Sequence, residues 1–189
     1  YNIWIGKGFA ESALDQFDQS VTSFETAVGI DPNRVEAYAE LGSNYLYDDD
    51  YDTALQYLNT VIDKVPDDAN SFYDRGEAHF GLLNYTEAIA DFDRALQLNP
   101  NKAAAYIGRG QVHYESGDYD LAIADYSQAI AREDAYGEAY YLRGLAYYEN
   151  QDHDLAIEDF STAIALDEFT GEAYAYRGML YAQLNDDHS

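Results

Sequence analysis

The sequence predicts an all-α fold built from tandem copies of one helical hairpin. Its only three prolines, Pro32, Pro66 and Pro100, stand 34 residues apart, and a period of this length is typical of tandem-repeat proteins. Apolar residues recur at steps of three and four, for example over 86–98, which indicates amphipathic helices. The chain therefore divides into repeats 1–34, 35–68, 69–102, 103–136 and 137–170, with a partial sixth repeat over 171–189.

Each repeat carries the signals of two helices that approach each other closely. The eighth place is always glycine, at Gly8, Gly42, Gly76, Gly110, Gly144 and Gly178. The twenty-fourth place is always large and apolar, at Phe24, Leu58, Phe92, Tyr126 and Phe160. We expect the small residue to lie on the first helix and the large residue on the second, where it fills the space between the helices.

A capping residue and a proline mark the ends of the second helix. Asp50, Asn84, Asp118 and Asp152 precede this helix, and their short side chains can accept hydrogen bonds from its free backbone N–H groups. The prolines follow the helix and end it. Because one hairpin alone buries little apolar surface, we expect stability to come from the stacking of neighbouring repeats.

These residues resemble the tetratricopeptide repeat, a 34-residue helix-turn-helix, in a bacterial-type tandem array. The match includes the glycine, the large residue, the proline and alanines such as Ala54, Ala88 and Ala122 at the twentieth place. The first repeat departs most from this pattern, with Lys7 in place of an apolar residue and Ser20 in place of alanine. The resemblance implies a single array over 1–189 that forms a right-handed superhelix, or α-solenoid. It also implies a non-enzymatic scaffold for protein–protein interaction that needs no cofactor.

Charged residues at two places of the repeat vary together. The seventh place holds Arg75, Arg109 and Arg143, and the twenty-third place holds Asp91, Asp125 and Asp159. In the second repeat the same places hold Leu41 and Tyr57, so that both charges are lost together. This pattern predicts ion pairs between helices, within a repeat or between neighbours. The alternative is that the arginines bind a carboxylate of a ligand.

Charge and composition restrict the partners. The net charge of −26 argues against nucleic acid and anionic membrane surfaces, because both are polyanions, and it favours a basic or apolar protein or peptide. The chain has no cysteine, which excludes disulfides, thiol catalysis and thiolate metal sites. No stretch approaches the ~18 apolar residues of a membrane helix, so we expect no membrane insertion.

No set of residues typical of an enzyme or a metal site is recognisable. Catalytic Ser-His-Asp sets, glycine-rich phosphate loops and HExxH stretches are absent. His79 and His113 stand at a place that is tyrosine in other repeats, and we interpret them as core histidines. The acidic runs 48–50 and 186–188 lack the spaced ligands of a calcium loop, and we interpret them as caps and solvated surface.

The resemblance also implies a binding groove, because the first helices of such arrays line a concave face that binds peptides or partner helices. The predicted groove residues are Tyr47, Tyr73, Glu77, Phe80, Ile107, Gln111, Tyr114, Tyr141, Leu145, Tyr148 and Met179. Tyrosine offers apolar area and a hydroxyl group at little cost in side-chain entropy, which suits recognition. The alternative is that part of this aromatic row is buried between adjacent first helices.

A second function remains open, in which the chain is a structural subunit of an end-to-end homopolymeric filament. Apolar residues near both ends would then be buried between subunits, namely Ile3, Trp4, Ile5, Leu180, Tyr181 and Leu184. A head-to-tail contact that does not close produces a filament. A different explanation of the apolar ends is that the chain is a piece of a longer array.

The stretch Asn84-Tyr85-Thr86 matches the acceptor pattern for N-glycosylation. Asn84 also stands where a helix cap is expected, so capping competes with modification as an explanation. Many tyrosines, few lysines and no cysteine point slightly towards an exported protein, although the sequence names no compartment.

Overall fold

The computed structural model describes residues 1–132, 137–166 and 169–186, without the side chains of residues 170 and 184–186, and the described residues form helices joined by short turns. The helices are α1 (Asn2–Ser12), α2 (Phe17–Ile30), α3 (Glu36–Tyr47), α4 (Tyr51–Lys64), α5 (Ala69–Gly81), α6 (Tyr85–Leu98), α7 (Ala103–Glu115), α8 (Tyr119–Ile130), α9 (Gly137–Glu149), α10 (His153–Ala165) and α11 (Thr170–Asp186). They belong to two compact units, Tyr1–Pro100 and Asn101–Ser189. The predicted all-α class is confirmed. The single array over 1–189 stays a prediction.

The first unit consists of three helical hairpins. Helices α1 and α2, α3 and α4, and α5 and α6 pack against each other in pairs, and the pairs stack through α2 with α3 and α4 with α5. Phe24, Leu58 and Phe92 are fully buried, one in each hairpin. The helices end before the prolines, at Ile30, Lys64 and Leu98, as the proline spacing predicted.

The second unit repeats this arrangement with two hairpins and a further helix. Helix α7 packs with α8, α9 packs with α10, and α11 packs on α10. Tyr126 and Phe160 are buried at the centres of the two hairpins. Phe160 lies in one cluster with Ala173 and Leu180 of α11, so the apolar contact continues from the hairpin into the last helix.

The turn inside each hairpin contains one residue with left-handed backbone, always at the fifteenth place of the repeat. The φ angles are 55° at Asp15, 59° at Asp49, 61° at Leu83, 80° at Gly117 and 66° at Gln151. The next residue donates its backbone N–H to the carbonyl oxygen five positions earlier, for example Asp118 to His113 at 2.9 Å. This bond closes the turn, and it holds non-glycine residues in a conformation that glycine adopts at less cost.

The four predicted capping residues stand at the N-cap position, but three of them do not accept the predicted hydrogen bond. Asp50, Asn84, Asp118 and Asp152 all occupy the N-cap position. Only Asp50 among these four accepts a capping bond, from the backbone N–H of Thr53 at 3.2 Å. The other three side chains make no capping bond, and Asn84 and Thr86 are both exposed. Glycosylation of Asn84 stays a prediction.

The predicted ion pairs are present within single repeats and join the first helix to the second. Nε and Nη2 of each arginine donate to the two carboxylate oxygens of the aspartate sixteen residues later, and the distances are 2.7 and 2.7 Å for Arg75, 2.8 and 2.6 Å for Arg109, and 2.7 and 2.9 Å for Arg143. Their aspartate partners are 5% exposed. These guanidinium groups are therefore engaged in the fold, which argues against the alternative that they bind a ligand.

Candidate peptide-binding cleft

The predicted groove residues of the first unit differ in exposure. Tyr47 is 80% exposed, whereas Tyr73, Glu77 and Phe80 are half-buried. The ring of Tyr73 lies 5.9 Å from that of Phe92, and the ring of Phe80 lies 6.1 Å from that of Tyr85. The half-buried rings thus contribute to packing within their own hairpins and offer part of their surface to solvent.

In the second unit one predicted groove residue is a core residue. Ile107 is 5% exposed and packs with Ala122 and Tyr126, so the prediction that it contacts a ligand is wrong. An aliphatic side chain at this place reaches back into the hairpin. Met179 is 51% exposed. The remaining predicted residues are half-buried, namely Gln111, Tyr114, Tyr141, Leu145 and Tyr148.

The half-buried tyrosines of the second unit are held by other rings. Tyr141 stacks on Phe169 with ring centroids 4.9 Å apart and an interplanar angle of 2°. Tyr148 meets Tyr176 edge to face at 5.4 Å. Burial raises the pKa of Tyr114 to about 12, and the negative charge of the nearby Glu149 contributes to this increase. These contacts favour the alternative stated above, in which part of the aromatic row is buried and structural.

A cleft between α1 and α3 is a more open candidate, and we call it the α1–α3 cleft. It has a volume of about 680 Å³ and is lined by Tyr1, Asn2, Ile5, Gly6, Phe9, Arg34, Val35, Glu36, Ala39, Glu40, Val61, Val65, Asp67 and Asp68. Its wall is mainly apolar, and its charged lining is mainly acidic. The sequence analysis assigned none of the α1 residues to the groove and assigned Ile5 to a self-association end instead.

The single arginine that lines the α1–α3 cleft is already engaged. The guanidinium carbon of Arg34 lies 4.1 Å from the centre of the Tyr1 ring. Its nitrogens donate to Asn2 Oδ1 at 2.9 Å and to Glu36 Oε1 at 2.6 Å. The hydrogen bond from Arg34 holds the pKa of Glu36 below its usual range. The charges of Arg34 and Glu36 are thus paired with each other in this part of the cleft.

Glu40 is the acidic residue of the cleft that most needs a partner. It is half-buried, and its carboxylate has no hydrogen bond or ion pair within the described residues. Burial raises the pKa of Glu40, and repulsion by Asp74 raises it further. A partly desolvated carboxylate without a donor is unfavourable. The amine or guanidinium group of a ligand could supply the missing hydrogen bonds.

The predicted self-association ends are only partly exposed. Ile3 is 84% and Tyr181 50% exposed, while Trp4 and Ile5 are half-buried. Leu180 is fully buried in the cluster around Phe160, so it does not belong to an exposed end and this prediction is wrong. The side chain of Leu184 lies outside the described residues.

The structure also bears on metal sites, on the two acidic runs and on membrane-spanning helices. Within the described ranges, no group of three or more His, Asp or Glu residues could hold a metal ion. The run 48–50 is exposed and includes the Asp50 cap, and the run 186–188 lies outside the described side chains. Across the described helices, none is both long enough and apolar enough to cross a membrane.

Comparisons with known proteins agree with this architecture. A tetratricopeptide repeat model matches residues 7–69, 39–103, 73–138, 107–169 and 141–187. A search of curated proteins found no match. Among solved structures, MamA from Desulfovibrio magneticus RS-1 is 28% identical, with a TM-score of 0.72, over 80% of this chain and 86% of that chain.

Two further structures share the fold at lower identity. TTC0263, described as a thermophilic tetratricopeptide repeat protein of Thermus thermophilus, has a TM-score of 0.77 and 22% identity over 96% of this chain and 98% of that chain. YrrB, described as having an unusual peptide-binding site, has a TM-score of 0.72 and 19% identity over 93% and 90% of the two chains. Together with the repeated glycines and buried rings, the family match shows that this chain belongs to the tetratricopeptide repeat family.

Proposed function

We propose that the chain is a non-enzymatic scaffold for protein–protein interaction whose α1–α3 cleft binds a short basic and apolar peptide segment. The unsatisfied, half-buried carboxylate of Glu40 at the cleft wall carries this proposal. The family, generally made up of non-enzymatic scaffolds, supports the scaffold role. The description of YrrB as a peptide-binding member supports a peptide as the ligand class.

The lining of the cleft suggests how such a segment would be held. Ile5, Val61 and Val65 offer apolar contact for an aliphatic side chain. A neighbouring lysine or arginine of the peptide would donate to Glu40, in a charge-assisted hydrogen bond. Asp67 and Asp68 also line the cleft, and the net charge of −26 would accelerate the approach of a basic peptide.

The test uses labelled peptides that alternate leucine with lysine, and matched peptides that alternate leucine with serine. We expect the lysine peptide to bind more tightly by fluorescence anisotropy, and Glu40→Gln to weaken it about tenfold through loss of the charged acceptor. Gly6→Leu should block the cleft, since Gly6 lines it and has open space beside it. Gly29→Leu, at another open glycine, is the matched control. Equal binding of the lysine peptide by wild type and Glu40→Gln would disprove the proposal.

The same substitution should stabilise the unliganded chain. Because the pKa of Glu40 is raised on folding, ionisation of this carboxyl disfavours the folded state at neutral pH. This loss of stability is recovered as the pH falls from the raised pKa to the ordinary pKa of glutamate. Glu40→Gln removes this cost, so thermal unfolding at neutral pH should shift upward. A residue that weakens the fold and strengthens binding is expected at a functional site.

The predicted groove, with its row of aromatic side chains, is a second contact surface in this proposal. Tyr73→Ala in the first unit and Tyr141→Ala in the second remove half-buried rings. At least one of these variants should bind an identified partner protein more weakly than wild type does. If neither variant changes binding, the aromatic groove has no part in recognition. Tyr47→Ala is a useful third variant, because Tyr47 is 80% exposed and its removal should leave stability nearly unchanged.

A second candidate function is the end-to-end filament, and the exposure of Ile3 and Tyr181 favours it. Self-repulsion at a net charge of −26 should suppress assembly at low salt, and screening within ~10 Å at 0.1 M salt should permit it. Light scattering and electron microscopy at rising salt test this function. Fibres that disappear in Ile3→Asp would support it, and a monomer at high protein and salt concentrations would rule it out.

A further inference from the structure

The side chains at the twelfth and seventeenth places of a repeat lie against each other at the turn inside the hairpin. The ring centroids are 6.1, 5.5 and 6.2 Å apart in the pairs Phe80 with Tyr85, Tyr114 with Tyr119, and Tyr148 with His153. In the second repeat the same places hold Leu46 and Tyr51, which pack against one apolar cluster. Four repeats therefore place a large side chain beside the residue at the seventeenth place.

The first repeat lacks this large side chain, because Ser12 stands at its twelfth place. The half-buried ring of Phe17 meets Tyr45 of the next repeat edge to face, with the centroids 5.6 Å apart. Beside Phe17 lies a cavity of about 220 Å³, which we call the Phe17 pocket. It is lined by Ser12, Asp15, Phe17, Ser20, Ser43, Asn44 and Tyr47. Since Ser12 and Phe17 both line it, the pocket lies where the other repeats carry a large side chain.

The opening follows from the residue types, because the helices on both sides of the pocket are described. Ser12 is the last residue of α1, while Asn44 and Tyr47 belong to α3. The Phe17 pocket shares no lining residue with the α1–α3 cleft. The two sites are therefore independent of each other, and each can be tested while the other is blocked.

Three polar residues around the Phe17 pocket replace apolar residues of other repeats and hydrogen-bond to one another. Besides Ser12, these are Ser20, at a place that is alanine elsewhere, and Asn44, at the place of buried Ala78 and Val112. Ser12 Oγ donates to Asn44 Oδ1 at 3.2 Å, and Asn44 Nδ2 donates to Ser20 Oγ at 2.6 Å. Stacking of repeats does not require this network, since other repeats stack here through apolar side chains. A departure of this kind from the local rule is expected at a functional site.

The network leaves hydrogen-bonding groups for a ligand. Nδ2 of Asn44 carries a second N–H group, and Ser12 Oγ keeps its lone pairs after it has donated its proton. A hydroxyl group in the pocket can accept from the first and donate to the second. A phenol joins such a hydroxyl group to a ring that can lie against Phe17, as Tyr114 lies against Tyr119.

An acidic depression of about 430 Å³ adjoins the pocket and shares two lining residues with it. It is lined by Asp15, Gln16, Phe17, Asp18, Gln19 and Asp48. The three aspartates are exposed, and no lysine or arginine lines the depression. A cationic group held next to the ring of a ligand would therefore be attracted to this depression.

We propose that the Phe17 pocket binds a tyrosine side chain of a partner protein that carries a lysine or arginine next to this tyrosine. The ring lies against Phe17, its hydroxyl bonds to Asn44 and Ser12, and the cation lies in the acidic depression. Pockets for drug-sized ligands typically have volumes of about 300–1,000 Å³, so a smaller pocket suits one side chain. Tyr47, which is 80% exposed, adds an aromatic contact at the rim.

The test uses a blocked tyrosine-lysine dipeptide and three matched dipeptides that each lack one group. Leucine-lysine lacks the ring, phenylalanine-lysine lacks the hydroxyl, and tyrosine-serine lacks the charge. Binding to the 1–189 chain is followed by the NMR shifts of the Asn44 side-chain amide. We expect saturable binding of the tyrosine-lysine peptide, and binding about threefold weaker for each matched peptide. The leucine-lysine peptide has the same charge, so it controls for general attraction by a chain of net charge −26.

Substitutions in the chain connect the binding to the stated contacts. Ser12→Phe supplies the missing ring, as Phe80 does at the same place, and should abolish binding while raising the temperature of thermal unfolding. Gly6→Leu, which blocks the α1–α3 cleft, should leave binding unchanged. Asn44→Ala, with the residue type of Ala78, should abolish the preference for tyrosine over phenylalanine and keep the preference for lysine over serine. A merely structural role of Asn44 would weaken all four peptides alike.

The outcomes that contradict the proposal are distinct from those that contradict the α1–α3 cleft. Absence of saturable binding, or equal binding of the leucine-lysine peptide, would overturn it. Unchanged binding in Ser12→Phe would also overturn it, and loss of binding in Gly6→Leu would assign the peptide to the α1–α3 cleft instead. If Ser12→Phe does not fold, Ser12→Leu, which copies Leu46 at the same place, gives the same test.

Discussion

Gly144→Ala and Gly178→Ala make the same chemical change at the same place of two adjacent repeats, and we expect opposite effects on stability. In both helices alanine has the better helix propensity, by about 0.5–1 kcal/mol. The two sites differ in what the new methyl group meets. At Gly144 it would lie 2.8 Å from Cε1 and 2.9 Å from Cδ1 of Phe160, whereas at Gly178 no described atom lies within 4 Å.

The ring of Phe160 cannot move away without cost. It is fully buried, and the rings of Tyr141 and Tyr176 lie 6.0 and 5.5 Å from it. Overpacking of such a core typically costs about 1–3 kcal/mol, which exceeds the gain in propensity. We therefore expect Gly144→Ala to lower the free energy of unfolding by about 1 kcal/mol and Gly178→Ala to raise it by about 0.5 kcal/mol.

Urea unfolding followed by circular dichroism at a helix wavelength measures both variants, and the midpoint and slope show whether the unfolding remains cooperative. Gly76→Ala, whose methyl group would lie 2.8 Å from Phe92, repeats the test in the first unit. A Gly144→Ala variant as stable as wild type would refute the close-approach argument. A Gly178→Ala variant that is destabilised would show that the space beside Gly178 is occupied in solution.

Three further substitutions test other parts of the fold by the same unfolding measurement. Asp91→Ala should cost about 2–3 kcal/mol, because it leaves the guanidinium of Arg75 partly buried without its carboxylate, and the double variant Arg75→Leu with Asp91→Tyr, which copies the second repeat, should recover most of this loss. Leu83→Gly should stabilise by about 1 kcal/mol, because φ is 61° at this exposed residue. Folding raises the pKa of Tyr114 from 10 to about 12, so the stability that its neutral hydroxyl contributes is present below pH 10 and lost above pH 12. Tyr114→Phe should therefore lose less stability than wild type as the pH rises from 10 to about 12.

The repeat period predicted those contacts that require one residue type at one place of the repeat. Glycine at the eighth place and a large residue at the twenty-fourth predicted a close contact between helices, because few other combinations fit there. The joint loss of both charges at Leu41 and Tyr57 predicted the ion pairs, since burying only one partner is costly. In these cases a single local contact determines the residue type, so the contact can be predicted from the sequence alone.

Exposure was harder to predict, because it depends on side chains from several helices. Ile107 stands at the same place as half-buried Tyr73 and Tyr141 and yet lies in the core, where an aliphatic side chain fits without a hydroxyl group to satisfy. The burial of Leu180 was readable in principle, because Ala78 and Val112 at its place are also apolar and fully buried.

The acidic residue that carries the proposed function was missed at the sequence level. Glu40 is one acid among 36 acidic residues, and only its burial and its distance from any donor distinguish it.

The charge of the chain predicts how binding in the α1–α3 cleft responds to salt. A basic peptide in the α1–α3 cleft is attracted by a chain of net charge −26, and screening weakens this attraction. Raising the salt from 0.01 M to 0.1 M shortens the screening length from about 30 to about 10 Å. Binding of the lysine peptide in the α1–α3 cleft should therefore weaken over this range, while the weaker binding of the serine peptide should change little. An equal response of the two peptides would mean that charge does not distinguish them, and the assignment of the basic residue of the peptide to Glu40 would then be wrong.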